Sequence, residues 1–209
     1  RQFWGIDACV SVHYCLALFV LILLTGSMSA QTTQEQGCTA SEAVPRQLQP
    51  GEVVKGNLQA KETHVFQAPL SPGQYMHVSV NQIGIDVVVK LFDPNRALLI
   101  QRDSPNSKYG PEKISTVAQL SGSHYVVVCG AANQPAGAYQ LRLDGPRPAT
   151  AAEDRRVIAE QAYYQAAKLS AQRSRTALES AIEYYKESAN IWRELGDPNE
   201  EGYALSNLG

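Results

Sequence analysis

The sequence predicts a mostly β chain that finishes in helix: an antiparallel β-sandwich followed by a helical hairpin that opens a repeat solenoid. Three observations carry this. Residues 45–143 hold short runs rich in β-branched and aromatic residues, separated by Gly, Pro, Asn and Ser with no helical rhythm between them, which is the pattern of paired strands. From Ala151 onward the apolar residues recur at helical spacing. Between the two, residues 144–150 are Asp-Gly-Pro-Arg-Pro-Ala-Thr, the composition of a semi-rigid linker. The expected division is therefore an N-terminal export segment (1–30), a flexible leader (31–44), the sandwich (45–143), a linker (144–150) and a helical region (151–209), making a multidomain β plus α chain.

At the N-terminus, residues 16–24 are an unbroken apolar run, followed by the small residues Gly26, Ser27, Ser29 and Ala30 and then by polar Gln31. This is the layout of a secretory signal peptide cleaved after Ser29 or Ala30. Counted from Ala8, the run approaches a short membrane span, so an uncleaved anchor is the alternative. Either reading exports the chain. Cys9 and Cys15 lie in this segment. Cys38 and Cys129 remain as a possible disulfide in a compartment that permits one; the plainer reading of Cys129 is a small buried hydrophobe in a strand. Because residue 1 is Arg and the last residues sit in a helical pattern, the chain is expected to be a fragment of a longer protein.

Strands are expected at residues 53–58, 63–68, 75–80, 87–92, 98–101, 113–117, 124–129 and 138–143. In the third run Tyr75, His77 and Ser79 alternate with Met76, Val78 and Val80, placing the two sets on opposite faces. Asp93-Pro94-Asn95 is a turn, because Asp bonds its own backbone and Pro presets φ.

The first helix is expected from Ala151, with a narrow stripe of Ala159, Ala162, Tyr163, Ala166 and Ser170 that lets a neighbour approach closely. Glu153, Asp154 and Glu160 suit its N-terminal half. Residues 173–176 separate it from a second helix; one long bent helix through Arg175 is the alternative. The second helix carries the stripe Leu178, Ala181, Ile182, Tyr185, Ala189, Trp192 and Leu195, with Thr176 and Glu179 as a capping box. Gly196 stops it. Asp197, Pro198 and Glu200 then start a third helix as N-cap, N1 and N3, reaching Leu208 and Gly209. These stripe residues, with Gly196, Leu208 and Gly209, are the expected repeat-packing set, and Trp192 is expected between its own helix and the one beginning at Pro198.

Chemistry is sparse. Asp86, Asp93 and Asp103 are the acids one would nominate for calcium, but they lack dense Asp-x-Asp spacing, and turn-forming aspartates are the plainer reading. His64, His77 and His124 lie in separate strand patterns. Ser121-Gly122-Ser123-His124 has no Gly-x-Ser-x-Gly elbow. Tyr75, Tyr125 and Tyr139 could stack on sugars if exposed; packing is the plainer reading. No catalytic, cofactor-binding or metal residue is expected, and no cofactor. A net charge of −2 with scattered bases gives no case for nucleic acid.

Two family resemblances add to this. Pro50-Gly51, the run from Val87 through Asp93-Pro94-Asn95, and Gly137-Ala138-Tyr139-Gln140-Leu141-Arg142-Leu143 resemble the bacterial pre-peptidase C-terminal domain, which implies a jelly-roll-like sandwich that assists folding, secretion or attachment. Ala181-Ile182-Glu183-Tyr184-Tyr185, Leu195-Gly196-Asp197 and Leu208-Gly209 resemble tetratricopeptide repeats, with Ser188 where that family usually has alanine and no proline at Arg193. The longer form resembles the repeats preceding CHAT domains, caspase-like proteases of bacteria. Together they imply a non-catalytic interaction scaffold, exported to the periplasm or beyond, or anchored facing the periplasm. It would bind a protein or peptide through its helices and precede a CHAT cysteine peptidase domain not present in this chain. It would touch a membrane only through an uncleaved N-terminus. The alternative is a carbohydrate- or surface-binding sandwich with a helical spacer.

Overall fold

Alternation of apolar and polar residues builds the strands, and each expected run is one. The computed structural model describes residues 44–208; the export segment, most of the leader, Cys9, Cys15, Cys38 and Gly209 lie outside the described residues. The strands are β1 (Arg46–Gln47), β2 (Val53–Leu58), β3 (Thr63–Leu70), β4 (Gln74–Ile83), β5 (Val87–Phe92), β6 (Leu98–Arg102), β7 (Tyr109–Val117), β8 (Gly122–Gly130) and β9 (Gly137–Pro148). They form two sheets, ordered β1-β3-β8-β5-β6 and β2-β9-β4-β7. Pairing is antiparallel except between β1 and β3. The core lies between the sheets, where Met76, Val78, Val80, Val126, Val128 and Leu141 are fully buried. Of the two sets that alternate along β4, Met76, Val78 and Val80 are the ones that face the core. Tyr75, on its opposite face, is also buried, because helix covers that end of the sheet.

The stretch expected to be a linker differs. Residues 144–148 are the far end of β9, with Asp144 opposite His77 and Arg147 opposite Tyr75 across a register shift. Gly145 permits this. Its φ of +93° belongs to glycine, and a Cβ there would collide with the Tyr75 carbonyl oxygen. The composition signalled flexibility, whereas the glycine serves a close backbone approach. Gly145→Ala is expected to destabilise the fold by about 1–3 kcal/mol, measured by urea melts; a loss under about 0.5 kcal/mol would show that the bulge tolerates a side chain.

Two residues then lead into α1 (Ala151–Ser170), followed by α2 (Arg175–Leu195) and α3 (Pro198–Ser206). Thr150 caps α1 in a reciprocal box with Glu153, so the helix starts rigidly from the strand. Glu153 also pairs with Arg147, whose guanidinium pulls its carboxyl down to about 2. α1 and α2 are separate helices, not one bent helix. The cap of α2 is Ser174, whose hydroxyl accepts from the Ala177 N–H, not the expected Thr176 box. The chain turns at Arg173, with φ +54°, and leaves Ser174 in the capping position. Gly196 ends α2 in the left-handed conformation, and Asp197 caps α3 with Pro198 in its first turn, as expected.

The stripe of α2 is only partly covered. Ala181, Tyr185, Ala189 and Trp192 are buried, but Leu178 and Ile182 are 43% and 39% exposed. Leu195 and Leu208 are partly buried against neighbouring clusters. Trp192 packs with Ala159 of α1 and Ile191, and Arg156 lies over its ring; the expected position against α3 is not the observed one. Ser188 is buried and donates its hydroxyl to the Ala159 carbonyl at 2.9 Å, so this side chain bonds α2 to α1. Sandwich and helices fall in one compact unit. Among the described residues, no helix is long and apolar enough to cross a membrane.

Candidate functional site

Two edge strands meet the helices. β7 ends one sheet and β6 the other, and α1 contacts both. An uncovered edge presents unpaired backbone groups, and here a side chain answers them. Glu160, on the inner side of α1, accepts from the Ser115 backbone N–H at 2.6 Å and from the Ser115 hydroxyl at 2.8 Å. Ser115 Oγ is also 2.9 Å from His77 Nδ1 and 3.3 Å from the Tyr75 hydroxyl. Burial pushes the Glu160 carboxyl up to about 7. Burial, reinforced by Arg156, holds His77 down at about 4, so its ring is neutral near neutral pH.

Serine, histidine and glutamate within bonding distance suggest a hydrolase, but the wiring is wrong. In a triad the acid orients the histidine and the histidine takes the serine proton. Here the acid takes the serine hydroxyl directly, and Ser115 is 2% exposed. With its one hydrogen given to Glu160, Ser115 can only accept from His77. The cluster is a pin between sheet and helix, not a nucleophile.

A second pin holds α3. Arg102 of β6 donates to Glu200 at 2.6 Å and to Ser104 Oγ at 2.8 Å, with its guanidinium over the Tyr163 ring. Lys113 stands 3.5 Å from Glu200. Nearby, Glu112 accepts from the Ser104 N–H at 2.9 Å and from Gln82, and burial pushes its carboxyl up to about 7.

These groups set a pH dependence. Glu160 and Glu112 keep protons that the unfolded chain releases near 4.5. Their contribution is fully present below that value and lost as pH rises through about 7. His77 acts oppositely: its contribution is present above 6.5 and lost as pH falls through about 4. The two effects partly cancel between these limits, and above 6.5 only the carboxyls act. Stability should therefore fall from pH about 6.5 to about 8, and Glu160→Gln should remove roughly half of that fall. Urea midpoints at both pH values measure it; an unchanged slope would contradict the assignment.

The nominated residues are scattered. Asp93 closes its turn by accepting from the Ala97 N–H at 2.7 Å. Asp86 and Asp103 are both raised by burial, Asp103 further by Asp86. Among the described residues, no three His, Cys, Asp or Glu side chains gather at metal-binding distance. His64 bonds the Tyr139 hydroxyl at 2.7 Å, His77 joins Ser115, and buried His124 stands 3.3 Å from the Gly122 carbonyl; the three are not brought together. Tyr75 and Tyr139 are buried and offer no free face to a sugar; Tyr125 is partly buried, with Arg96 3.4 Å over its ring. Cys129 is disulfide-bonded; its expected partner, Cys38, lies outside the described residues.

Sequence reasoning missed Ser115 and Arg102, and it placed Glu160 and Glu200 only toward helix N-termini, not as bonds to the sandwich. The available signal was Glu160 itself, an acid flanked by the small residues of the α1 stripe. Beside the first pin runs a groove of ≈550 Å³ between α1 and the sandwich, floored by Leu99, Val117, Leu120, Val157 and Ile158.

No family model and no curated protein matches the sequence. Among solved structures, the chain is similar to the pre-peptidase C-terminal domain of collagenase from Bacillus anthracis, at 16% identity and a TM-score of 0.42, covering 51% of this chain and 100% of that one. It is also similar to PliG of Aeromonas hydrophila, a periplasmic lysozyme inhibitor of g-type lysozyme, at 14% identity and a TM-score of 0.39, covering 48% and 94%. The chain's own two sheets and the three helices that follow them make the described residues a β-sandwich with a helical C-terminal part.

Proposed function

We propose that this chain is a non-catalytic protein-interaction module of an exported bacterial protein, with the sandwich as the base of a tetratricopeptide-type helical array. One observation carries the reading. The helices are pinned to the sandwich by a buried ion pair and buried hydrogen bonds, yet α2 leaves Leu178 and Ile182 uncovered one turn apart, and α3 leaves Leu205 43% exposed. An amphipathic helix buries its apolar stripe against something. In a stacked array, that something is the next helix or a partner's helix. Export belongs to the proposal through the run at residues 16–24. A CHAT peptidase served by this scaffold belongs to it through the resemblance carried by Ala181-Ile182-Glu183-Tyr184-Tyr185 and Leu195-Gly196-Asp197.

The test immobilises the chain and offers a synthetic amphipathic tetratricopeptide-type helix alongside a glycan array. The proposal expects the helix to be retained by the wild type and lost by Leu178→Ser/Ile182→Ser, with no glycan retained. Equal retention of the helix by the variant, or retention of a glycan, would overturn it.

A further inference from the structure

We infer that the groove between α1 and the sandwich is a docking site for a partner segment that carries aliphatic side chains flanked by lysine or arginine. It lies on a different surface from the uncovered stripe of α2 and does not depend on it.

The groove is continuous with a second depression of ≈380 Å³ that shares Leu99, Ile158 and Gln161 and reaches Tyr184 and Glu187 on α2. Three of its apolar residues are open to solvent: Leu120, Ile158 and Tyr184 are 43%, 42% and 40% exposed. A volume of this size accepts several side chains. The charged residues lining the two depressions are Asp93, Asp154 and Glu187, with no lysine or arginine among them. His124 adds no positive charge near neutral pH, since burial lowers it further.

The helices show how unusual these two helical carboxylates are. Glu153, Glu179, Glu183, Glu194 and Glu201 each pair with an arginine or lysine. Glu160 and Glu200 are the buried pins, and Asp197 is a cap. Among the described helical acids, Asp154 and Glu187 alone have neither an ion-pair nor a side-chain hydrogen-bond partner in the structure, and both line the groove. Each also stands about one helical turn from an exposed apolar side chain, Asp154 from Ile158 and Glu187 from Tyr184. Two unpaired carboxylates beside an open apolar floor are complementary to a segment alternating aliphatic and basic residues.

The test uses fluorescein-labelled pentapeptides on the 209-residue chain, read by anisotropy at low and physiological salt. The probes are Leu-Lys-Leu-Lys-Leu, its Leu-Glu counterpart and its Ser-Lys counterpart. Only the Leu-Lys peptide should bind, more weakly at higher salt. Asp154→Asn/Glu187→Gln should weaken it on the order of tenfold, and Ile158→Ser should do the same with an unchanged melting temperature. Glu179→Gln/Glu183→Gln and Leu178→Ser/Ile182→Ser should bind like wild type; the latter result separates this site from the helix-stacking face. Binding of the Leu-Glu peptide, equal binding of the Ser-Lys peptide, or equal weakening by the control pairs would overturn the inference. So would sedimentation showing that a second copy of the chain fills the groove.

Discussion

Replacing Trp192 by alanine is expected to cost this chain about 3–5 kcal/mol, the range for deleting a fully buried large aromatic. Trp192 is 1% exposed, packed on Ala159 with Ile191 and Leu195, and Arg156 lies over its ring. All of these neighbours belong to α1 and α2, so the pocket is complete before any further helix is added. A tryptophan waiting for a further helix would instead lose only about 1–2 kcal/mol here and more in a longer array. The geometry predicts equal losses in this chain and in one extended by two consensus repeats. Leu178→Ala serves as the control: 43% exposed, it should cost about 0.5 kcal/mol or less. Urea melts of both lengths decide, and a loss that rises by more than about 1 kcal/mol on extension would place Trp192 at the stacking face after all.

Arg102→Met should be nearly as damaging, at about 3–5 kcal/mol. The Arg102–Glu200 pair is 5% and 7% exposed. Removing the guanidinium leaves the Glu200 carboxylate enclosed, with only Lys113 at 3.5 Å. An uncompensated buried charge is costly, whereas losing both partners together is often close to neutral. Arg102→Met/Glu200→Leu should therefore recover most of the loss. A double-mutant cycle reads the coupling; a single variant costing under about 1 kcal/mol would mean that the pair is solvated and that α3 is held by packing alone.

The strands were legible because alternation specifies a face. The alternation from Tyr75 to Val80 separated the two faces of β4 from residue types alone. Gly196, Asp197 and Pro198 were legible because left-handed and capping positions have few solutions. The two residues of β1 were not, since so short a run has no period. Residues 144–148 misled because Gly and Pro mark both linkers and sheet irregularities. The stripe of α2 was read correctly as a stripe, but periodicity cannot say which part of it is covered, and Leu178 and Ile182 are not. The pins were the least legible: Ser115 and Glu160 are 45 residues apart, Arg102 and Glu200 98 apart, and no local pattern links such partners.

Sandwich and helices, joined through β9, Ser115–Glu160 and Arg102–Glu200, are expected to unfold as one cooperative body rather than as two modules on a tether. Scanning calorimetry of the chain tests it most directly. A single transition in which calorimetric and van't Hoff enthalpies agree is expected; two resolved transitions would mean that the helices and the sandwich melt independently.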